Sequence, residues 1–401
     1  MRQVLAGVRV LDFCWVGAGA LVTKLLAEHG AEVIKVESRA RPDNLRVAPP
    51  YRPGAENLDG SGYFASRNND KKSLALNMKT EKGRELGYAL ASRADVVANN
   101  FRPGVMERWG LAYDSVAAVN PSVVYLSMPM QGSDGPNSGY IGFGSTIAAL
   151  SGLVHLSGHH DRMPVGTGTH YPDHIPSPGH ALVALLAALR RRARTGEGAH
   201  VELSQLESAA SVVGAALIAA GNGGPVPTRR GNRVGGHCPS GVFPCSGDDN
   251  WCAIAARSDA EWQALAQVLQ LPVDQRFGTL AGRRDHEDDL DAAVAARTST
   301  WDRRELAAAL QAVHVPAWPV LSSSDLIDDP QLAARGFWRR VTHPVIGEMT
   351  APAAPFQHDG ERAGPVRSAP LLGEHTHELA ASLLGLSDSE IERLEAEQVL
   401  W

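Results

Sequence analysis

Val8-Arg9-Val10-Leu11-Asp12-Phe13, Val16-Gly17-Ala18-Gly19-Ala20, the run Leu21 to His29, and Ala31-Glu32-Val33-Ile34-Lys35-Val36-Glu37 together decide the fold class. The first run is rich in β-formers, and the second is a glycine-rich turn. Leu21 to His29 places apolar residues at helical spacing, and Gly30 stands where a helix stops. Val33, Ile34 and Val36 mark a second strand. Strand, helix and strand within about thirty residues make a βαβ unit with a parallel strand pair.

The pattern continues outward. Ser73 to Leu76 reads as a short strand, and Thr80 is placed to cap a helix running to about Arg93. Val96 to Ala98 and Val123 to Met128 read as buried strands. Strands alternating with helices predict an α/β layered domain whose ligands sit at the carboxyl ends of the strands. The middle is helical, over Ala181 to Arg194 and Leu203 to Ala220. The basic run Arg190 to Arg194 suits the negative end of a helix dipole. Composition changes at Gly221-Asn222-Gly223-Gly224-Pro225, and a Gly- and Pro-rich loop is expected as far as Gly247. Asn250 to Val315 reads as a compact helical unit opened by a capping box at Ser258 and Glu261. Loops and short strands follow Pro319. A last helix begins with a capping box at Ser387 and Glu390, stapled by Leu386 and Ile391.

Composition narrows the class. The 401 residues carry 38 Lys and Arg against 44 Asp and Glu, a net charge of −6, with 44% hydrophobic residues. That apolar content argues against disorder, and the sign of the charge argues against a phosphate-backbone reader. Four cysteines, Cys14, Cys238, Cys245 and Cys252, make no disulfide framework in a chain this long, and point to a reducing, cytoplasmic setting. Asp12 interrupts the N-terminal apolar run, so no signal peptide is expected. The longest apolar stretch, Ala209 to Gly221, falls short of a bilayer span, so no membrane role is expected.

Several constellations bear on chemistry. Gly17-Ala18-Gly19 ends a strand and opens a helix, a place that favours phosphate. Glu37 follows at the spacing of a ribose-binding acid, but Val22 replaces the third glycine of a dinucleotide fingerprint. A plain strand–helix turn is the alternative. His155, His159, His160, His170, His174 and His180 are dense, yet Pro172 between His170 and His174 disfavours a regular helix, and no metal site is expected. Gly142-Phe143-Gly144-Ser145 resembles a nucleophile elbow only superficially. The cysteines lack paired spacing and read as packed thiols. Lys71 and Lys72 read as a solvated turn. Asp173, in Tyr171-Pro172-Asp173 just before a long helix, is either a helix cap or a nucleophile toward an activated acyl group.

Taken together, these stretches resemble the class III CoA-transferases, the family that includes formyl-CoA transferase, carnitine CoA-transferase and α-methylacyl-CoA racemase. The resemblance runs over essentially the whole chain. It is carried by Leu5 to Phe13, Leu25 to Glu37, Asp70 to Lys79, Asn100-Phe101-Arg102-Pro103-Gly104, Ala187 to Arg190 with Thr195-Gly196-Glu197-Gly198, and Pro370 to Thr376. It implies an α/β fold: a Rossmann-like large domain with a parallel sheet, from 1–221 and 321–401, and a smaller inserted α+β domain with its linkers over 222–320. It also implies an interlocked homodimer.

The resemblance assigns roles. Asp173 matches the nucleophilic aspartate, which forms an aspartyl anhydride and then an aspartyl-CoA thioester. Val16, Gly17 and Ala18 match the CoA-contacting turn. Leu76, Asn77, Met78 and Lys79 match the adenine and phosphate strip. Asn100, Phe101 and Arg108 match pantetheine and phosphate contacts, Arg102 is adjacent to them, and Arg39 is an expected adenine or phosphate contact. Acyl-CoA and a carboxylic acid are then substrates, with no tightly bound cofactor. There are departures. Gly17 replaces the glutamine of formyl-CoA transferase, which is expected to leave room for a bulkier acyl group. Ser145 stands at the place of an acidic residue. Phe143 and Gly144 replace the His-Asp pair of the racemases, which argues against an acyl-CoA racemase or isomerase. Gly231 to Pro244 resembles transferases acting on larger acids, such as succinyl-CoA:benzylsuccinate CoA-transferase. An accessory CoA-binding subunit, in a heteromer with a paralogue, is the remaining alternative.

Overall fold

Hydrophobic alternation along short strands builds the centre of the first unit. The computed structural model describes residues 3–401. Six parallel strands, β1 (Arg9–Phe13), β2 (Glu32–Glu37), β3 (Lys72–Ala75), β4 (Val96–Asn99), β5 (Val124–Ser127) and β6 (Ala199–Glu202), are ordered β3-β2-β1-β4-β5-β6. Val10 pairs with Val33 on one side and Val96 on the other, and Leu11 pairs with Ile34 and Val97. Because side chains alternate across a strand, the valine row faces one layer and the Leu-Ile-Val row the other. The valine row packs on Val22 and Leu26 of α1 (Ala18–Glu28) and on Ala181 and Leu185 of a long helix further on. The opposite row packs on Leu86 and Leu90 of the helix Glu81–Ala91 and on the C-terminal helices. Both faces are covered, as a parallel sheet requires.

The further helices up to Gly221 are α2 (Gly62–Arg67), α3 (Glu81–Ala91), α4 (Val105–Arg108), α5 (Tyr113–Val119), α6 (Gly144–Leu150), α7 (Leu153–Leu156), α8 (Tyr171–His174), α9 (Pro176–Thr195), α10 (Gln205–Val212) and α11 (Gly214–Gly221), all in the first unit except α7, which falls in the second from Val154 onward. Three local expectations are corrected. Leu203 to Ala220 is not one helix: the chain breaks at Val213, before Gly214, into α10 and α11. Strand β6 was not expected, since its edge position leaves His200 and Glu202 exposed and gives no apolar run. Pro172 does not prevent a helical turn at His170–His174, because it falls at the start of α8, where a missing N–H costs nothing.

The second unit comprises Val154–Gly166 and Gly224–Pro330. An antiparallel sheet of β7 (Ser240–Pro244), β8 (Trp251–Ala255) and β9 (Ala317–Pro319) carries the helices α12 (Asp259–Val268), α13 (Leu280–Asp285), α14 (Glu287–Thr298), α15 (Arg303–Ala312) and α16 (Ser323–Ile327). Phe243, Ile254, Leu265, Leu290 and Leu306 form its core. The boundaries differ from 222–320. Val154–Gly166 belongs here because Gly231 N–H donates to the Gly158 carbonyl at 2.7 Å and Arg229 donates to the His155 and His159 carbonyls. At Ser258 the hydroxyl caps Glu261, but the Glu261 carboxylate takes the Arg257 N–H, so the box is not reciprocal.

Gln331–Trp401 returns to the first unit. It continues from α17 (Pro330–Ala334) through the hairpin β10 (Trp338–His343) and β11 (Gly347–Pro352) to α18 (Thr376–Leu384) and α19 (Asp388–Ala396). The Ser387–Glu390 capping box is reciprocal, as expected. Among the described residues no helix is long and apolar enough to cross a membrane.

Candidate active site

In an open parallel sheet, ligands bind where the chain leaves neighbouring strands in opposite directions. Here that point lies between β1, which continues to β2, and β4, which continues to β5. Trp15 to Ala18 follow β1, and Asn100 to Arg102 follow β4. Asn100 locks the two loops together: its Oδ1 accepts from Trp15 N–H at 2.9 Å, and its Nδ2 donates to the Trp15 carbonyl at 2.6 Å.

A buried ionic network shapes the turn. Val16 holds a φ of +64°, unusual for a β-branched residue. Its N–H donates to Asp43 Oδ1 at 3.0 Å, while Asp43 Oδ2 pairs with Lys35 Nζ at 2.8 Å. Lys35 also donates to the Cys14 carbonyl at 2.9 Å. Burial alone would raise the Asp43 pKa, but the Lys35 charge and the hydrogen bonds outweigh it and hold it below the usual range. Gly19 has no room for a side chain, since a β-carbon there would lie 2.6 Å from Cys14 Sγ.

The same network corrects two sequence readings. Glu37 is not a free acid awaiting a ribose but half of an ion pair: Arg46 Nε reaches its Oε2 at 2.8 Å and Arg46 Nη2 its Oε1 at 2.7 Å, with both side chains fully buried. Nor is Lys71 solvated. Its Nζ is buried and donates to Asp12 Oδ2 at 2.9 Å, to Thr23 Oγ1 and to Asn68 Oδ1. Lys72, half-buried, pairs with Glu32 and Glu378.

Asp173 lies in α8 with 7% of its surface exposed. It does not cap the long helix: α9 is preceded by Ile175, and no side chain caps its start. Two glycines make room for the carboxylate. A β-carbon on Gly144 would lie 2.5 Å from Asp173 Oδ2, and one on Gly17 would lie 2.9 Å from the same oxygen and 2.8 Å from Asp173 Cβ. Gly17 therefore makes room for Asp173 as well as lining the cavity beside it. Burial raises the Asp173 pKa to about 6, while the His170 charge, the Gly144 N–H and the Arg67 charge restrain the rise. His174 is pushed the other way, to about 4, by burial and by the charges of Arg67 and His170. Near neutral pH the site thus holds an ionised carboxylate beside a neutral imidazole.

Asp173 forms part of the wall of a cavity of about 790 Å³. Val16, Gly17, Ala18, Asn100, Phe101 and Arg102 line it too. Leu76, Asn77, Met78 and Lys79 line a smaller hollow on the far side of Trp15 and Arg41, two residues common to both. Arg39 and Arg108 line neither and are exposed on the surface, with Arg39 bonded through its backbone N–H to the Trp401 carbonyl. Arg41, not Arg39, lines both hollows, its guanidinium 5.8 Å from the Trp15 ring. Sequence reasoning missed Trp15, Tyr140, Ile141 and Gln205 as cavity walls; Phe143 and Gly144, which the resemblance set at the place of the racemases' His-Asp pair, line the cavity as well. Among the described residues no three His, Cys, Asp or Glu side chains gather as a metal cluster.

A parallel sheet with a cavity of about 790 Å³ at its switch point and a buried carboxylate in the cavity wall defines an α/β protein with a ligand cleft beside Asp173. Comparison makes the class specific: residues 5–376 match the model of CoA-transferase family III, and the chain belongs to that family. It is 35% identical, over 98% of its length, to the probable CoA-transferase Rv1866 of Mycobacterium tuberculosis, and spans half the length of that protein. It is 31% identical to the succinyl-CoA–D-citramalate CoA-transferase of Chloroflexus aurantiacus, over 99% of this chain and 98% of that one. The crystal structure of a CaiB/BaiF family protein from Brucella suis superposes with a TM-score of 0.88 at 30% identity, covering 96% of this chain and all of that one.

Proposed function

We propose that the protein moves CoA from an acyl-CoA to a free carboxylic acid, with Asp173 as the covalent carrier. The observation that carries this reading is the Asp173 carboxylate: buried, not used as a cap, and seated between Gly17 and Gly144 in the wall of the large cavity. The carboxylate attacks the thioester carbonyl, the C–S bond breaks, and CoA leaves as thiolate. The thiolate attacks the Asp173 carbonyl of the mixed anhydride, which releases the donor acid as carboxylate and leaves an aspartyl-CoA thioester. An acceptor carboxylate then displaces the thiolate to form a second anhydride. The thiolate attacks its acyl carbon, giving the new acyl-CoA and free Asp173. Splitting one exchange into these steps is ordinary nucleophilic catalysis.

Each step needs the thiolate held in place, so CoA is gripped at its nucleotide end. Arg41, Lys79 and Arg102 supply positive charge along the cleft, and charged hydrogen bonds to phosphate are among the stronger ones. Phe143, where a racemase would need a second base, offers no proton acceptor. The relative named for succinyl-CoA and D-citramalate favours an acid larger than formate or oxalate for this chain as well. The exposed apolar residues of α9 and α11, including Val183 and Ile218, fit burial against a second copy, as in a homodimer. Four free, buried cysteines fit a cytoplasmic setting. The test is Asp173→Ala: transfer is abolished while CoA binding persists. Retained transfer defeats the reading.

A further inference from the structure

Gln205 opens α10 and stands in the wall of the Asp173 cavity with 7% of its surface exposed. Its backbone N–H donates to the Pro129 carbonyl at 3.2 Å, and its side-chain Nε2 donates to the Met128 carbonyl at 2.8 Å. A carbonyl only accepts, so the second bond fixes which way round the amide lies. Among the described residues no donor meets its Oε1, and that oxygen is not sealed from solvent. It therefore opens to the cavity that Gln205 lines, held in place and unused. Met130, Ile141, Phe143 and Ile147 give the same cavity apolar walls. A fixed acceptor among apolar walls selects a ligand that brings a proton to donate.

The place of Gln205 along the sheet says which part of the substrate meets it. At the carboxyl edge the loops follow the strand order. Lys79 and Arg41 lie after β3 and β2, Gly17, which touches Asp173, after β1, and Met128 and Gln205 after β5 and β6. β5 lies two strands beyond β1, about 10 Å away on the side opposite the Lys79 hollow. With the nucleotide gripped at the cationic end, a thioester at Asp173 directs its acyl group toward β5 and β6. The wall is continuous there: a β-carbon on Gly142, two residues from Gly144, would lie 2.7 Å from Met130 Sδ. A carboxylate has no proton for Oε1, whereas a hydroxyl donates to it. We propose that Gln205 is a specificity-determining residue that reads a hydroxyl on the acyl chain, so that the acid is a hydroxy acid.

This inference rests on the CoA-transfer reading, and the experiment separates the two. Transfer of CoA from succinyl-CoA to butyrate and to 2-, 3- and 4-hydroxybutyrate is measured for the full-length chain and for Gln205→Met. The unsubstituted protein should favour at least one hydroxybutyrate over butyrate by about tenfold in kcat/KM, the effect of one hydrogen bond at a preformed acceptor. Gln205→Met, similar in shape but without the amide, should bring that ratio to within about twofold of one. The ratio is taken within a single protein, so loss of folded material cancels. Where Gln205→Met does not fold, Gln205→Asn, which withdraws the oxygen by one methylene, decides by the same ratio. No preference for any hydroxybutyrate in the unsubstituted protein overturns the proposal. So does a preference that survives the substitution. So do equal losses on all four acids, which would place Gln205 against a pantetheine amide or in the fold alone. Hydroxylamine trapping in the same samples distinguishes the readings: no hydroxamate on Asp173 defeats the covalent role, and a hydroxamate without a hydroxyl preference defeats only the role of Gln205.

Discussion

Gly144 and Asp173 are so closely packed that a β-carbon on the glycine would sit 2.5 Å from Asp173 Oδ2. Only the absence of a side chain lets the carboxylate lie where it does. Gly144→Ala must therefore push the carboxylate out of place. A misplacement of about 1 Å costs on the order of a hundredfold in rate, so kcat should fall by about that factor while CoA affinity holds. Gly17→Ala should act in the same direction. Steady-state kinetics with direct CoA titration check both, and an alanine variant at full kcat would refute the packing argument.

The pH profile follows from the environment of Asp173. The ionised carboxylate is the nucleophile, and its pKa is raised to about 6 by burial. The kcat/KM for acyl-CoA should therefore be level above that pH and fall as pH drops through it. His174, at about 4, stays neutral throughout and adds no limb in that range. A profile that falls only near pH 4 would contradict the assignment.

The same shift is a stability cost. The folded carboxyl has the higher pKa, so the cost is absent where both folded and unfolded forms are protonated. It grows above the unfolded value of about 4 and is fully present above about 6. Asp173→Asn removes it. Urea unfolding should show a gain on the order of 2–3 kcal/mol at pH 8 and almost none at pH 4. An equal gain at both pH values would point to packing instead of charge.

Glu37 and Arg46 provide a contrast, because their pairing is structural. Removing one member of a fully buried ion pair strands the other, at about 3–5 kcal/mol. Glu37→Ala should lose about that much in unfolding free energy, whereas a ribose-binding acid would lose affinity and little stability.

Arg41 lines both hollows and Arg39 neither. Arg41→Ala should raise the KM for acyl-CoA by about tenfold, in line with loss of one charge-assisted bond, and Arg39→Ala by less than about twofold. Reversal of that order would return the contact to Arg39.

Much of the fold was legible because valine, leucine and isoleucine recur where a doubly covered parallel sheet needs them. β4 and β5 are nearly continuous apolar runs, and β1 and β2 carry Val10 and Leu11, and Val33, Ile34 and Val36, in the same way. β6 was hidden because an edge strand with His200 and Glu202 facing out has no such run. The break at Val213 was hidden because apolar periodicity continues across it. In the site, Asp173 stood out through the stretch around it and the resemblance that stretch carries. Gly144 was singled out only by the place it takes in that resemblance, and its contact with Asp173, across 29 positions of sequence, is one that only folding creates. Lys71 was misread for a related reason: a lysine in a polar run looks solvated until the chain folds it onto Asp12.

The central claim is that Asp173 becomes covalently loaded. The direct measurement is to mix the protein with a donor acyl-CoA, quench with hydroxylamine, and locate the modified residue by peptide mass spectrometry. Hydroxylamine attacks an activated aspartyl carbonyl and leaves a hydroxamate, so the account predicts that mark on Asp173, and its absence without acyl-CoA. An unmodified Asp173 under conditions of full turnover would contradict it.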